Sequence, residues 1–429
     1  MATTCVLGGQ WGDEGKARVI DLLAESADII VRYQGGGNAG HTVVFDGETF
    51  RLHLLPSGIL RPDKVNVIAH GVVMDAELLL REVAELRARG REVNGENLIV
   101  SERAQVVMPW HKMLDNARER ADGKRKHGTT GMGISQCYAD KVSYRGFRVA
   151  DLYEDEWFAD RLGHILEEKN RFLVDIYGEK ALDYHAVLTE YRDFAEQIKP
   201  YVADAVTYLH DAIAQGKEVL FEGAQGVLLD VDLGSYPWVT GSNSCALGVP
   251  TGTGIPPRAL DRVIGVFKAY LTRVGSGSFP TEDMGEEGER LREIGREFGT
   301  TTGRPRRCGW FDAVGARYAC RSNGVDWIAL TKLDVLQGFE TLRVCTGYDT
   351  PTGVQHTFPA TVPGLERSKP IYRELPGFTE DVSGARRLDE LPQQALDLIR
   401  VIEEESGAPV GLVSVGPSRE QVIWTGRQR

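Results

Sequence analysis

The 429-residue sequence predicts a protein of the α/β class, long enough for two or three domains or for one large domain with insertions. Short apolar runs alternate along the chain with segments of helical periodicity. Two of the first apolar runs end in glycine-rich loops, and glycine accounts for 49 of the 429 residues, above the usual ~7%. Glycine-rich loops between apolar runs are typical of nucleotide-binding α/β enzymes.

The composition argues against several classes of protein. A net charge of −12 disfavours nucleic acid or an anionic membrane as the main partner. The six cysteines are scattered without a C-x-x-C pair, which favours free thiols in a reducing compartment. The sequence shows neither a secretory signal pattern nor an apolar run approaching ~18 residues. We therefore expect a soluble, cytoplasmic protein.

The predicted elements follow from the spacing of apolar residues and the positions of glycine. Strands are expected at 3–7, 28–33, 49–55, 66–68, 98–100, 218–222, 327–331 and 410–414. Helices are expected at 18–25, 76–89, 112–120 and 286–298. The segment 156–216, rich in Glu, Lys, Leu and Tyr, is expected to be a mostly helical insertion with solvated faces and no chemistry of its own.

The first glycine-rich loop, GGQWGDEGK at residues 8–16, has the content of a phosphate loop. It differs from the common P-loop, because Gln10 stands in place of a glycine and Ala17 in place of Ser or Thr. Without a hydroxyl after the lysine, the Mg²⁺ that accompanies a nucleoside triphosphate needs another protein ligand, and Asp13 is the candidate. Taken alone, the loop is also compatible with an ordinary strand-to-helix turn.

The second glycine-rich loop, QGGGNAGHT at residues 34–42, follows the next predicted strand. Loops after neighbouring strands would place Asp13 and His41 beside the same phosphates as an acid/base pair. The segment KRKHGTTGMGI at 124–134 suits a nucleotide monophosphate, although an ordinary exposed loop has a similar composition. The loops 223–226 and 240–243 carry amide and hydroxyl groups suited to a base edge or ribose.

Two further segments favour anionic ligands and a nucleobase. The loop GTTTGRPRR at 299–307 brings three arginines together in an acidic protein, and arginine matches carboxylate and phosphate groups bidentately. A solvated loop paired with surface acids is the alternative. Lys332 and Asp334 follow a predicted strand and resemble the guanine-reading element of GTPases, whose carboxylate accepts hydrogen bonds from the ring N–H and the 2-amino group.

With these motifs in hand, the chain closely resembles the adenylosuccinate synthetase family, GTP-dependent ligases that join IMP to aspartate. The resemblance rests on seven ordered motifs: QWGDEGK, QGG-x-NAGHT, GTTG-x-GI, EGAQG-x-LLD, TTGRPRR, TKLDVL and S-x-GP. It implies a single large α/β domain over 1–429 with a central, mostly parallel sheet, a P-loop-like phosphate loop and helical subdomains. It also implies a homodimer that uses Mg²⁺ and binds GTP, IMP and L-aspartate.

The resemblance also implies roles for individual residues. Asp13 would take the N1 proton from the purine, His41 would act as general acid on the γ-phosphoryl group, and Lys16 and Gln225 complete the catalytic set. The Mg²⁺ ligands would be Asp13 and the Gly40 carbonyl. The implied GTP-binding residues are Gly12, Glu14, Gly15, Lys16, Gly40, Thr42, Lys332, Asp334, Ser414, Gly416 and Pro417. Those for the purine nucleotide are Asn38, Thr129, Lys141, Arg145, Gln225, Thr240 and Arg304. Those for aspartate are Thr301, Thr302, Arg304 and Arg306.

The sequence departs from the family mainly on the purine-nucleotide side. Met132 stands where an arginine is usual, Tyr144 where the family lends an arginine across the dimer interface, and Leu233 where a histidine is usual. An arginine lost from a phosphate site removes a bond worth roughly 1.5–3 kcal/mol. Either Lys141 or Arg145 then substitutes, or the acceptor differs from IMP, and the bulkier Met132 and Leu233 would reshape its pocket.

Three functions are therefore compared. The first is ligation of IMP and aspartate, and the second is the same ligation on an IMP-like analogue from a natural-product or 2-aminopurine pathway. The phage enzymes of the 2-aminopurine pathway replace the loop aspartate, so the presence of Asp13 argues against a 2-aminopurine enzyme. The third is a GTP-binding switch without ligase activity, which would have no use for Asp13, His41 and the arginine loop together. We expect the ligation of IMP.

Overall fold

The computed structural model describes residues 3–45, 47–123, 127–299 and 303–428. Its strands are β1 Thr3–Gly8, β2 Ile29–Arg32, β3 His41–Phe45, β4 Glu48–Leu52, β5 Val65–Ile68, β6 Val73–Met74, β7 Leu98–Ser101, β8 Gln105–Val106, β9 Val202–Ala203, β10 Val219–Glu222, β11 Arg262–Lys268, β12 Leu271–Arg273, β13 Arg307–Gly309, β14 Phe311–Asp312, β15 Trp327–Thr331, β16 Thr341–Thr350, β17 Gly353–Gln355, β18 Lys369–Pro376, β19 Val410–Ser414 and β20 Val422–Trp424. Its helices are α1 Lys16–Leu23, α2 Ala76–Ala88, α3 Pro109–Asp122, α4 Ile134–Val142, α5 Asp155–Arg171, α6 Tyr184–Ile198, α7 Ala205–Ala214, α8 Gly248–Thr253, α9 Glu286–Gly295, α10 Ala313–Asn323, α11 Val362–Glu366 and α12 Gln393–Ser406.

Among the described residues, ten strands form one central sheet in the order β20-β19-β15-β11-β1-β10-β2-β5-β7-β9. Every neighbouring pair is parallel except β19 and β20. The predicted α/β class and mostly parallel sheet are therefore confirmed. The carboxyl ends of parallel strands meet at one edge, so the loops after β1, β2, β10 and β15 gather there.

The central strands are apolar because helices and loops cover both faces of the sheet. Along β1, Cys5 and Leu7 pack into one core cluster and Val6 into another, and all three side chains are fully buried. This period of two within a continuous apolar run explains why the strand could be predicted from composition but its faces could not.

The segment 41–52 differs from the prediction. A strand at 49–55 was expected, but β3 and β4 pair with each other as an antiparallel hairpin outside the central sheet, with His41 opposite Leu52. In β4 buried and exposed residues alternate near its end, which fits a hairpin with one solvated face. His41 is thus the first residue of a strand rather than the end of a loop.

The segment 156–216 consists largely of helices α5, α6 and α7, as the sequence predicts. Buried residues of α5 and α6 share a hydrophobic cluster with α2 and α3, which ties this segment to the rest of the chain. Among the described residues, none of the helices combines the length and apolarity that a membrane span requires.

Candidate active site

A cavity of about 520 Å³ opens at the carboxyl edge of the central sheet, a volume within the range of small-molecule sites. Its walls come from the loops after β1, β2 and β10, from segments 127–135, 238–240 and 273–276, and from single residues of the arginine loop and the end of β15. The expected site residues that line it are Gly12, Asp13, Gly15, Lys16, Asn38, Gly40, His41, Thr129, Gln225, Thr240, Arg306 and Lys332.

The loop after β1 is held in shape by a buried carboxylate. The Glu14 side chain is fully buried and accepts backbone N–H bonds from Gln10 (3.1 Å) and Gly12 (2.9 Å). It also accepts a bond of 2.6 Å from Lys16 Nζ. The carboxylate of Glu14 therefore positions the loop and Lys16. Glu14 is not among the described residues that line the cavity, whereas its neighbours Asp13 and Gly15 are.

Gln10, which replaces the P-loop glycine, clamps the loop to β11. Its side-chain Nε2 donates to the Lys268 carbonyl and its Oε1 accepts from the Lys268 backbone N–H, each at 3.1 Å. Three residues of the loop have positive φ: Gly12 (84°), Asp13 (60°) and Gly15 (87°). Glycine tolerates that region, and aspartate is among the few other residues that adopt it without large strain. The loop therefore projects Asp13 into the cavity.

Asp13 forms an ion pair of 2.9 Å between its Oδ2 and Arg306 Nε. Arg306 also donates from Nη1 to Glu297 Oε2 at 2.8 Å. The arginine of the 299–307 loop thus lies directly against the proposed base, and it lines the cavity with it. A carboxylate and a guanidinium side by side suit a reaction in which one ligand gives up a proton and another brings a carboxylate.

His41 faces the same cavity beside a second buried carboxylate. Its Nε2 lies 3.6 Å from Glu222 Oε1, and Glu222 is fixed by the backbone N–H and hydroxyl of Ser57. Burial, reinforced by the charges of Arg32 and its other cationic neighbours, holds the pKa of His41 well below 6.5. The imidazole is therefore neutral at pH 7 without ligand, and it would act by donating a ring N–H rather than as a preformed cation.

Several buried polar atoms around the cavity have no hydrogen-bond partner within the described part of the chain. Among them are Arg32 Nε and Nη2, Asn38 Oδ1, His41 Nε2, Gln225 Oε1 and Thr240 Oγ1. Buried polar groups are normally paired, because an unpaired one costs about 1–3 kcal/mol. Their concentration around one cavity indicates that a polar ligand completes them.

A second group of expected residues gathers near the carboxyl ends of β15 and β19. Arg18 donates to Ser414 Oγ and to the carbonyls of Gly416 and Pro417. The Asp334 carboxyl interacts electrostatically with Arg18. Its Oδ1 is buried without a hydrogen-bond partner in the part of the chain that is described. Burial raises the pKa of Asp334 above its usual value, against the opposing charges of Lys332 and Arg18. An unpaired buried carboxyl oxygen is suited to N–H donors of a ligand.

Comparisons with known proteins show the family of this chain. The family model described as adenylosuccinate synthetase matches residues 5–423. The chain belongs to that family. It is 52% identical over 423 residues to the adenylosuccinate synthetase of Trichlorobacter lovleyi, covering 99% of this chain and 98% of the relative. It is also 52% identical over 423 residues to that of Carboxydothermus hydrogenoformans, covering 99% of each chain.

Among solved structures, the fully ligated adenylosuccinate synthetase of Plasmodium falciparum superimposes with a TM-score of 0.92 at 34% identity, covering 99% of this chain and 100% of the other. The succinoaminodeoxyadenylate synthetase of cyanophage S-2L, bound to dGMP and dATP, gives a TM-score of 0.63 at 21% identity, over 100% of this chain and 98% of that one. The second likeness shows the shared fold alone.

Two of the residues that depart from the family pattern, Met132 and Leu233, lie outside the described lining of this cavity. Met132 packs with its Cε beside Gly37, in core clusters with Ile134 and Leu78. Leu233 offers its carbonyl to the Tyr318 hydroxyl. Neither is among the described residues that line the cavity, so the expectation that these two side chains enlarge or fill the pocket is not supported.

Lys141 and Arg145 lie away from the cavity of their own chain. Arg145 Nε pairs with Glu168 Oε2 at 2.9 Å, and burial lowers the pKa of Lys141. Neither they nor Arg304 is among the described residues that border the cavity. Thr301 and Thr302 lie outside the described residues, as does the Thr42 side chain.

The sequence analysis did not identify four charged residues that bind or position the cavity residues: Arg32, Glu222, Lys268 and Glu297. Arg32 and Glu222 end two apolar strands, and a charged residue at the carboxyl end of a buried strand was the available signal. Lys268 ends β11 in the same way. Glu297 had no such signal, because it follows a helix in a segment of many acidic residues.

Proposed function

We propose that the chain is a GTP-dependent ligase that joins IMP to L-aspartate and yields adenylosuccinate, GDP and phosphate. One observation carries the proposal: Asp13, in the loop after β1, and His41, at the start of β3, line the same cavity as the unpaired polar atoms of Asn38, Gln225 and Thr240. A base, a hydrogen-bond donor and several unsatisfied polar groups in one cavity match a reaction between two nucleotides.

In the proposed reaction Asp13 takes the N1 proton of IMP, which makes O6 nucleophilic. The O6 atom then attacks the γ-phosphorus, the bond to the β–γ bridging oxygen breaks, and GDP leaves. His41 donates its N–H to an oxygen of the transferring group, and Lys16 offsets the developing negative charge. The anion raises the affinity of His41 for its proton, so a pKa that is low without ligand does not prevent this role.

In the second half of the reaction the aspartate amine attacks C6 and displaces phosphate. Arg306 is proposed to hold a carboxylate of aspartate, because its guanidinium lines the cavity next to Asp13. Arg304, Thr301 and Thr302 are proposed to assist it. Binding in this position holds the amine near C6 and lowers the entropic barrier.

The Asp334 carboxyl is proposed to bind guanine, with Lys332, Ser414, Gly416 and Pro417 around the base. The unpaired Oδ1 is the acceptor that the N1–H and 2-amino donors of guanine require. Gly12, Glu14, Gly15, Lys16, Gly40 and Thr42 are proposed for the phosphates, by side chain or backbone. Asn38, Thr129, Gln225, Thr240 and Arg304 are proposed for IMP.

Mg²⁺ is proposed to bind the Asp13 carboxylate and the Gly40 carbonyl. Both are hard oxygen donors at the cavity wall, and Mg²⁺ is commonly held by one or two protein oxygens together with substrate phosphates. Among the described residues, no cluster of three or more His, Cys, Asp or Glu forms an all-protein cage, which fits a metal that arrives with the nucleotide. When bound, the ion would neutralise charge on the phosphates.

A homodimer is proposed to complete the IMP site with Lys141 or Arg145 of the neighbouring subunit. Next to them Val142 and Tyr144 leave 75% and 81% of their surface exposed, and a second subunit would cover these apolar side chains.

The Arg145→Ala variant should raise KM for IMP by about tenfold, with KM for GTP unchanged. Sedimentation should give twice the chain mass. A monomer with full activity would contradict this arrangement, and Arg192→Ala, on the exposed face of α6, is the control.

The ligation itself is tested by phosphate release from GTP with each substrate omitted in turn. We expect release only when IMP and aspartate are both present, and adenylosuccinate in equal amount. Turnover of GTP with neither substrate would indicate a switch, and turnover with an analogue monophosphate but not with IMP would indicate an altered acceptor. Either result would overturn the proposal. The cytoplasmic location stays a prediction.

A further inference from the structure

A fully buried cluster of charges lies behind the cavity and is centred on Glu297, just after α9. The Glu297 carboxylate and the Lys268 ammonium are both completely inaccessible to solvent and lie 3.1 Å apart. The same Oε1 accepts bonds from Lys332 Nζ at 2.9 Å and from the Tyr270 hydroxyl at 2.5 Å. The other oxygen, Oε2, accepts from Arg306 at 2.8 Å.

The Glu297 carboxylate is therefore charged despite its burial. Burial by itself raises the pKa of a carboxyl group, but Lys268 and Lys332 hold the pKa of Glu297 well below its usual range. The cluster contains three cations, Lys268, Lys332 and Arg306, and one carboxylate, Glu297. A second carboxylate, Asp13, joins it through its ion pair with Arg306. The cluster thus carries an excess of positive charge toward a cavity expected to hold anions.

Two of the three cations line the cavity while the third does not. Arg306 and Lys332 are part of the cavity wall, whereas Lys268 and Glu297 lie behind it. Arg306 has its guanidinium fixed between Glu297 and Asp13, and its backbone N–H also donates to the Glu297 carbonyl at 2.9 Å. Lys332 keeps a further acceptor, the Gly295 carbonyl at 2.6 Å. Of the two, Arg306 is the cation that bridges Glu297 and Asp13.

We propose that Glu297 is a positioning residue: by binding Nη1 it orients Arg306 for the carboxylate of the amino-acid substrate, and it keeps the guanidinium from pairing with Asp13 through a second nitrogen. This inference rests on the ligase function proposed above. Without the Glu297 charge, Asp13 is the one carboxylate left against Arg306 among the described contacts, so the released Nη1 turns to the base and the two side chains pair through two nitrogens. The amino-acid site then loses its cation and the base is masked at the same time.

The test is the Glu297→Gln variant, which keeps the shape of the side chain and removes its charge. We expect KM for aspartate to rise by about tenfold or more and kcat to fall, with KM for IMP unchanged. The matched control is Glu282→Gln, because Glu282 pairs with the neighbouring Arg307 through both carboxylate oxygens but is not among the described residues that line the cavity. It should leave every kinetic constant as in the parent.

A second variant separates positioning from mere stability. Glu297→Gln leaves Lys268 buried without its partner, which destabilises the fold, whereas Glu297→Gln combined with Lys268→Met removes the whole innermost pair. The double variant should recover the melting temperature and still show the raised KM for aspartate. If it recovers aspartate affinity together with stability, Glu297 has a structural role only and the inference fails.

The two proposals fail in different ways. If the parent protein shows no phosphate release that depends on IMP and aspartate, the ligase function is wrong whatever the variants do. If the parent is active and Glu297→Gln retains the parent KM for aspartate, the ligase function stands and the positioning role of Glu297 is wrong.

Discussion

Replacing Asp13 by asparagine is expected to lower kcat for adenylosuccinate formation by about a thousandfold, the middle of the range for loss of a general base. Asparagine adopts positive φ more readily than most residues, so the loop should keep its shape at the φ of 60° seen for Asp13. The amide cannot accept the N1 proton. Stopped assays of adenylosuccinate and phosphate release at saturating substrates measure the loss.

The accompanying change in KM makes this prediction specific. Arg306 is shared between Asp13 and Glu297, so losing the Asp13 charge removes a competitor for the substrate carboxylate. KM for aspartate should therefore not rise in Asp13→Asn. The control is Asp155→Asn, which alters a comparable Asp–Arg pair on the exposed surface of α5. Turnover of GTP near the parent rate in Asp13→Asn would show that another group takes the proton.

Much of the fold could be predicted where a strand is buried on both faces. The expected strands 327–331 and 410–414 coincide with β15 and β19, because a continuous apolar run leaves little choice of structure. Helix ends were less predictable, since they depend on local caps. The helix expected at 112–120 begins at Pro109, which fits the first turn, and that expected at 286–298 ends at Gly295, before Arg296 adopts positive φ.

The β3–β4 hairpin was not predicted, because its first strand follows a glycine-rich loop and reads as part of it. The pairing of β16 with β18 was also missed, since the two strands are joined through a further short strand and a helix. Such pairings depend on contacts between distant segments, and periodicity within a segment carries no information about them.

The site residues also differ in how far a local sequence pattern could identify them. Many residues that touch the cavity lie in or directly after short loops with a distinctive composition, so Asp13, His41 and Arg306 could be found from the sequence. The residues that hold them do not form motifs. Glu297 meets Lys268 across 29 positions, and its role depends on burial that no local pattern reveals. A carboxylate in a helical, acidic segment is most simply interpreted as a solvated one.

The second large effect is expected at the nucleobase. In Asp334→Asn, KM for GTP should rise by about a hundredfold or more, because a site built for the two N–H donors of guanine then presents an amide N–H to one of them. Arg18 keeps its bonds to Ser414 and Gly416 in this variant, so the shape of the base site is preserved. At saturating GTP, kcat should change far less than KM.

Xanthosine triphosphate tests the direction of this effect. Xanthine carries an oxygen where guanine carries the 2-amino group, so the amide of Asp334→Asn can donate to that oxygen and still accept from the ring N–H. The variant should prefer XTP to GTP, the reverse of the parent. Asp326→Asn, at the exposed start of β15, should leave the preference for GTP intact. If Asp334→Asn keeps the parent KM for GTP and gains nothing with XTP, the base binds elsewhere, because a carboxylate that contacts guanine cannot be neutralised without discriminating between the two bases.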